Sequence, residues 1–150
     1  MSRRAEIVMT PEEAAAFLAE QRTVTCATLG RDGWPHLMPL WYVVRDGELW
    51  SWTYAKSQKV RNLERDPRCT LQVEAGHAYD ELRGVMLKAE VVIHREFDAV
   101  AAVGEEIAVR YGGVALDDGA REYVHRQAAK RVALQFRPRD SATWDHRKLL

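Results

Sequence analysis

Six segments of the chain have the apolar patterning and the β-branched or aromatic composition that are typical of β-strands. They cover residues 24–29, 34–44, 48–53, 69–75, 83–94 and 132–138. Turns with glycine follow the first two segments, at residues 30–33 and 45–47. Strands at nearly regular spacing, joined by tight turns, predict a small antiparallel barrel.

Helices are predicted where apolar residues recur every three or four positions. The segments are residues 10–22, a helix that begins at Ser57 and stops before Pro67, residues 96–111 and residues 120–130. Thr10, Pro11 and Glu13 form the signature of a helix start with a capping box. The pattern therefore predicts one domain over residues 1–150, mainly β with attached helices.

The second predicted strand is apolar at both sets of alternating positions. One set contains Leu37, Trp41 and Val43, and the other contains Met38, Leu40, Tyr42 and Val44. A strand of this kind is expected to be buried on both faces. We expect the barrel interior on one face and a partner subunit or a flat ligand on the other. Pro39 cannot donate a ladder hydrogen bond, so it predicts a sheet edge or a bulge.

Charge and composition limit the possible partners. The 22 lysines and arginines balance 22 aspartates and glutamates, so no overall field attracts nucleic acid or an anionic membrane. No apolar run is long enough to span a membrane, and the N-terminus has no signal-peptide pattern. Cys26 and Cys69 lie in predicted strands without metal-ligand spacing, which indicates buried free thiols. We expect a cytoplasmic protein in which any cationic site is local.

A local cationic site is indicated at the start of the helix that begins at Ser57. The Ser57 hydroxyl is a good N-cap, and the free amides of the first turn favour an anion. Three cations lie within about one turn, namely Lys56, Lys59 and Arg61. Trp50, Trp52 and Tyr54 precede them and could form the walls of a pocket for a planar ligand. A phosphate group is the ligand that this site would bind. The alternative is an ordinary solvent-exposed helix face, which has the same composition.

The sequence contains no motif that is typical of catalysis by protein side chains. It contains no GxSxG motif, no HxxH or HExxH spacing among its five histidines, and no glycine-rich nucleotide loop. A bound cofactor can carry the chemistry in such a protein. The predicted anion site is where a cofactor would be anchored.

Four segments together resemble a known family. They are residues 33–41 (GWPHLMPLW), 52–63 (WTYAKSQKVRNL), 66–68 (DPR) and 144–149 (WDHRKL). In this order they are similar to the FMN-binding split β-barrel of the pyridoxamine 5′-phosphate oxidase-like superfamily. They resemble most closely its actinobacterial branch of coenzyme F420-dependent (deazaflavin-dependent) oxidoreductases, group B. The resemblance implies a six-stranded antiparallel split β-barrel.

The resemblance also implies a homodimer with two cofactor sites at the subunit interface. The strand residues beside the tricyclic ring would be Leu37, Met38, Pro39, Leu40 and Trp41. The residues that hold the phosphate would be Thr53, Lys56, Ser57 and Lys59. Together with Arg61, the two lysines exceed the need of one phosphate, which favours a phosphodiester with an anionic glutamyl tail.

The expected function is that of an oxidoreductase that uses reduced coenzyme F420 to reduce a small conjugated organic substrate by hydride transfer. Pyridoxamine phosphate oxidases carry Ser-Arg-Lys where this chain has Ser57-Gln58-Lys59, so pyridoxal phosphate synthesis is not expected. One alternative is an FMN-dependent oxidase or reductase. Another is a non-catalytic protein that binds flavin, haem or a tetrapyrrole.

Hydride transfer needs mainly positioning and a dry pocket, so no catalytic side chain stands out. His36 and Tyr42 are weak candidates for a proton donor, and solvent could serve equally well. His36 could instead be a strand histidine with satisfied hydrogen bonds. Trp144 and His146 could cap the pocket of either subunit, or the C-terminal tail could simply pack.

Overall fold

The computed structural model describes residues 2–113 and 115–150. The strands are β1 (Thr23–Leu29), β2 (Pro35–Trp41), β3 (Val43–Arg45), β4 (Glu48–Tyr54), β5 (Arg68–Ala75), β6 (Arg83–His94) and β7 (Arg131–Asp145). The α-helices are α1 (Arg3–Glu6), α2 (Pro11–Glu20), α3 (Gln58–Arg65), α4 (Phe97–Gly112) and α5 (Asp118–Ala128). Two short 3₁₀ helices cover Tyr79–Glu81 and His146–Leu149.

The strands form one antiparallel sheet in the order β2-β1-β5-β6-β7-β4-β3. Its two edge strands, β2 and β3, follow each other directly in the chain, so the sheet curls until its edges meet. The Ser51 hydroxyl on β4 donates to the carbonyl of Trp41 on β2 at 2.5 Å and links the two sides. The predicted barrel with attached helices is confirmed as a split barrel, and Pro39 lies on an edge strand as expected.

The sheet has seven strands where six were predicted, because the segment 34–44 is divided at Tyr42. The backbone of Tyr42 pairs with helix α4 and not with another strand. Its N–H donates to the Tyr111 hydroxyl at 2.9 Å, and its carbonyl accepts from Arg110 at 2.6 Å. These bonds satisfy the backbone at the corner where the chain passes from β2 to β3.

The last strand is also longer than predicted, since β7 continues to Asp145. It pairs with β6 along the whole of that strand, with a register shift between Lys88 and Ala89. The segment predicted to be a separate tail therefore begins within the sheet.

The predicted helix starts are confirmed. Thr10 and Glu13 form the capping box of α2, with bonds of 3.1 and 3.2 Å. Ser57 is the N-cap of α3, and its hydroxyl accepts from the Val60 amide at 3.4 Å. Helix α2 ends at Glu20, and α5 begins at Asp118, each within two residues of the predicted bound.

The buried side chains form two layers. One fills the barrel and includes Leu71, Val73 and Phe136. The other lies between the sheet and helices α4 and α5 and includes Val100, Val103 and Ile107. Both cysteines are buried free thiols, as predicted. Within the described residues, no helix has the length and apolarity needed to cross a membrane.

The expectation that the second strand is buried on both faces is wrong for the single chain. The side chains of Leu37, Met38 and Trp41 are 59%, 44% and 55% exposed. Burial begins only at Tyr42, where the chain turns toward α2 and α4. The apolar composition of β2 therefore makes an exposed apolar strip along a sheet edge.

Candidate functional site

A cleft of about 920 Å³ opens where the ends of β2 and β4 face helices α4 and α5. Its walls are mainly apolar and include five aromatic side chains. The aromatic residues are Trp41, Trp52, Tyr54, Tyr111 and Tyr123. A cleft of this size with flat apolar walls fits a planar ligand of cofactor size.

The cleft is cationic although the chain as a whole is neutral. Lys59 and Arg131 line it, and no aspartate or glutamate is among the described residues of its wall. Neither cation forms a salt bridge with a described residue. The cleft therefore favours an anionic ligand.

Helix α3 holds the Lys59 side chain against the end of β4. The residue is only 6% exposed, and its ammonium group donates to the Thr53 hydroxyl at 3.1 Å. Burial lowers the pKa of Lys59, and the nearby charge of Arg131 lowers it further, while Cys26 acts in the opposite direction. A buried ammonium group with one neutral partner is costly, and an anion that joins it would offset this cost.

Arg131 was not predicted from the sequence. It is the first residue of β7 and lies directly opposite Tyr54, the last residue of β4. Its guanidinium lies 4.6 Å from the ring centre of Trp52 and 4.1 Å from that of Tyr54. Arg131 is placed beside Tyr54 by the register between β4 and β7, which local sequence patterns do not show.

Helix α4 fixes two aromatic walls. The rings of Trp41 and Tyr111 stack at 4.4 Å with an interplanar angle of 8°. The Tyr111 hydroxyl donates toward the carbonyls of Arg22 and Tyr42, which lie at 2.7 and 2.8 Å. Trp52 packs on Gly104, where a Cβ atom would overlap its ring. The glycine thus lets α4 approach the wall of the cleft.

Substituting Gly104→Ala is expected to displace Trp52, because the added methyl group has no free space. We expect a loss of about 1–3 kcal/mol in the free energy of unfolding, measured by chemical denaturation. Gly112→Ala on the same helix is the control, since no described atom beyond its chain neighbours and its own helix backbone lies within 4 Å of its Cβ position. That change should not lower the same free energy and is expected to raise it by up to about 1 kcal/mol, because alanine is a better helix former than glycine. Equal effects of the two substitutions would contradict this packing.

The structure brings five of the predicted cofactor residues into the cleft wall. They are Pro39, Leu40, Trp41, Thr53 and Lys59. The other five lie outside the wall. Leu37, Met38, Lys56 and Arg61 are exposed, and Ser57 is partly buried as the cap of α3.

The two candidate proton donors lie elsewhere. Tyr42 is fully buried, and its hydroxyl donates to the Leu18 carbonyl at 2.6 Å. Burial raises its pKa, so the structure does not support Tyr42 as a proton donor. His36 lines a separate groove beside Gln58 and Asn62. Its Nδ1 atom is buried and has no partner among the described residues, contrary to the expected satisfied histidine.

Trp144 and His146 do not line the cleft of their own chain. Both contribute to a smaller pocket beside the N-terminal segment. The His146 ring lies 2.7 Å from the Tyr79 carbonyl, and Asp145 pairs with Arg147 at 2.7 Å. Within one chain the tail packs, so a cap over the cleft of a second subunit stays a prediction.

No set of three or more potential metal ligands comes together in the part of the chain that the structure describes. The site is thus built from aromatic walls and two cations.

A comparison with protein families matches the model described as pyridoxamine 5′-phosphate oxidase to residues 10–145. Among solved structures, the conserved hypothetical protein Rv2991 from Mycobacterium tuberculosis is 44% identical, with a TM-score of 0.91. The match covers 99% of this chain and 92% of that one. No curated protein matches significantly.

Two further structures share the fold at lower identity. An F420 reductase is 22% identical, with a TM-score of 0.69, over 89% of this chain and 98% of that one. HutZ, a haem storage protein from Vibrio cholerae, is 15% identical, with a TM-score of 0.69, over 89% and 94% of the two chains. The same fold therefore accommodates different ligands.

Proposed function

Because this chain belongs to the pyridoxamine 5′-phosphate oxidase family, we propose that it uses its cleft as a reductase site for a deazaflavin cofactor. In this proposal, reduced coenzyme F420 reduces a small conjugated organic substrate by hydride transfer. The protein is then a relative of the group B oxidoreductases that the sequence resembles. The observation that supports the proposal most is the buried ammonium of Lys59, which has a hydroxyl but no carboxylate as its partner.

The residues of the cleft fit such a cofactor. Lys59 and Thr53 would hold the phosphate, since a lysine ammonium and a hydroxyl are both suitable donors to phosphate oxygens. The strand from Pro39 to Trp41 would lie beside the tricyclic ring. The exposed cations Lys56 and Arg61 would face an anionic glutamyl tail outside the cleft.

The chain's own contribution to the reaction is binding, orientation and exclusion of water. The stacked pair of Trp41 and Tyr111 gives one rigid wall, and Trp52 on Gly104 gives another. When bound, the reduced deazaflavin supplies the hydride, and the proton that completes the reduction comes from solvent. Neither step needs an acid from Tyr42, which is buried away from the cleft.

A homodimer belongs to the same proposal. The exposed apolar strip of β2 is the surface that a second copy would cover. Cofactor sites at that interface would receive Leu37 and Met38 from β2, and Trp144 and His146 could reach the site of the partner.

The second candidate function keeps the site and replaces the cofactor by FMN, as an oxidase or reductase. The aromatic walls and the pair of Lys59 and Thr53 suit the ring and phosphate of either cofactor. Lys56 and Arg61 favour the deazaflavin, because FMN has no tail for them to bind.

The test mixes the purified protein with reduced coenzyme F420 and a panel of conjugated acceptors, and follows reoxidation of the cofactor by its absorbance. We expect reoxidation that depends on both protein and acceptor. A yellow protein that carries FMN as isolated would favour the second candidate. Tight binding of coenzyme F420 without turnover of any acceptor would instead indicate a non-catalytic carrier of flavin, haem or tetrapyrrole.

A further inference from the structure

The corner of the cleft where helix α5 meets the start of β7 contains an arginine that the phosphate site does not use. Arg131 lies over the rings of Trp52 and Tyr54, with Gln127 and Tyr123 of α5 in the same wall. We refer to these three residues, Tyr123, Gln127 and Arg131, as the Arg131 corner.

The polar groups of the Arg131 corner lack partners. The Nε atom of Arg131 and the Oε1 atom of Gln127 are both buried, and neither has a hydrogen-bond partner among the described residues. The other side-chain N–H groups of Arg131 also donate to no described residue. Buried polar groups in proteins are normally satisfied, so two such atoms in one cleft indicate a ligand.

Contact with the aromatic rings does not satisfy the hydrogen-bond donors of Arg131. A cation–π contact uses the face of the guanidinium, while its N–H donors lie in the plane and point outward. The rings of Trp52 and Tyr54 lie 4.6 and 4.1 Å from the guanidinium, and its Nε donor has no partner among the described residues. This is the arrangement in which arginine binds a planar anion through two hydrogen bonds.

Arg131 and Lys59 have different partners on β4. Successive residues of a strand point to opposite faces, so Thr53, which holds Lys59, points away from the face that carries Trp52 and Tyr54. Lys59 and Arg131 therefore have different immediate neighbours on β4, although both line the same cleft. A ligand with two anionic groups would engage one at each cation.

We propose that Arg131 binds a carboxylate, in a site distinct from that of the phosphate at Lys59. The inference rests on the proposed function and adds that the substrate is a conjugated or aromatic acid. The aromatic rings of Trp52, Tyr54 and Tyr123 provide the apolar surface. The Gln127 Oε1 atom is an acceptor, so it would take a donor group elsewhere on the ligand and not the carboxylate. A carboxylate of the glutamyl tail of the cofactor has the same chemistry and is the second possible source.

The test compares wild type with Arg131→Gln by calorimetric titration of cinnamate and of its neutral counterpart cinnamamide, without added cofactor. Loss of a charge-assisted bond should weaken cinnamate binding roughly tenfold to hundredfold and leave cinnamamide binding unchanged. Arg137→Gln is the control, because Arg137 is an exposed arginine on the same strand. It should bind both probes as the wild type does.

A second pair of titrations separates the two sources of the carboxylate. Glutamylated coenzyme F420 is compared with its core that has the phosphate but no glutamate. A loss in Arg131→Gln for cinnamate alone assigns the site to the substrate, and a loss for the glutamylated cofactor alone assigns it to the tail. If Arg131→Gln does not fold, Arg131→Lys should show a smaller loss in the same direction, because lysine keeps the charge without the planar fork.

The proposal is overturned if cinnamate and the glutamylated cofactor bind to Arg131→Gln as to the wild type. It is equally overturned if cinnamate and cinnamamide lose the same factor, because Arg131 would then only support the aromatic wall. Failure of the protein to bind coenzyme F420 at all would refute the proposed function, while the cinnamate titrations would still decide the role of Arg131.

Discussion

Replacing Lys59 with methionine is expected to weaken binding of coenzyme F420 roughly tenfold to hundredfold, because a charge-assisted bond to the phosphate is lost. The same change is expected to stabilise the ligand-free protein by about 1 kcal/mol. Lys59 is 6% exposed with one neutral hydrogen-bond partner, and methionine fills similar space without a buried charge. Fluorescence titration measures the first effect and chemical denaturation the second.

The pH dependence of stability provides an independent check of the Lys59 charge. Because the pKa of Lys59 is lowered in the folded state, the unfolded chain binds more protons than the folded one between the two pKa values. The wild type should therefore gain stability as the pH rises toward the ordinary lysine pKa of about 10.4. The advantage of Lys59→Met should shrink over this range.

Lys88→Met is the matched control for Lys59→Met. Lys88 is exposed on β6 and lines a different groove, together with Arg68 and Arg139. The Lys88→Met variant should keep a cofactor affinity within about twofold of the wild type and show no comparable gain in stability. Unchanged cofactor affinity in Lys59→Met, with a loss in Lys88→Met, would mean that the phosphate binds in that other groove.

Replacing Arg110 with methionine is expected to lower the free energy of unfolding by about 3 kcal/mol. Arg110 on α4 donates to the carbonyls of Leu18, Ala19 and Gln21 at 3.1, 3.1 and 2.6 Å and to that of Tyr42 at 2.6 Å. It thereby supplies hydrogen bonds to the backbone carbonyls at the end of α2 and at the corner between β2 and β3. Chemical denaturation monitored by circular dichroism measures the loss.

Arg22→Met is the control for the Arg110 substitution. Arg22 is exposed and donates one bond, to the Arg110 carbonyl at 2.8 Å. Its replacement should cost less than about 1 kcal/mol. A loss no larger for Arg110 than for Arg22 would show that the four bonds of Arg110 contribute little to stability.

The elements that the sequence predicted best are those defined by neighbouring residues. The capping box at Thr10 and Glu13 and the cap at Ser57 depend on contacts within three positions, and both are present. The division of the second strand at Tyr42 depends on Arg110 and Tyr111, which belong to a helix far along the chain. No local pattern around Tyr42 could reveal those two partners.

The same distinction holds for the candidate site. Thr53 and Lys59 lie close in sequence on a strand and the following helix, so their meeting could be predicted. The burial of the Lys59 ammonium could not, because it also depends on packing against the barrel. The pairing of β4 with β7 brings Arg131 to the cleft, and helix α5 brings Tyr123 and Gln127 to it. The site therefore differs from the predicted one in the residues that tertiary structure adds and in the five predicted residues that lie outside the cleft wall.

We propose that the cleft between β2, β4, α4 and α5 binds a deazaflavin cofactor with its phosphate at Lys59. A crystal structure of the protein with bound coenzyme F420 tests this most directly. We predict a phosphate oxygen within hydrogen-bond distance of the Lys59 ammonium and the Thr53 hydroxyl, with the ring against the strand from Pro39 to Trp41. A phosphate bound instead in the groove of Arg68, Lys88 and Arg139 would contradict the claim.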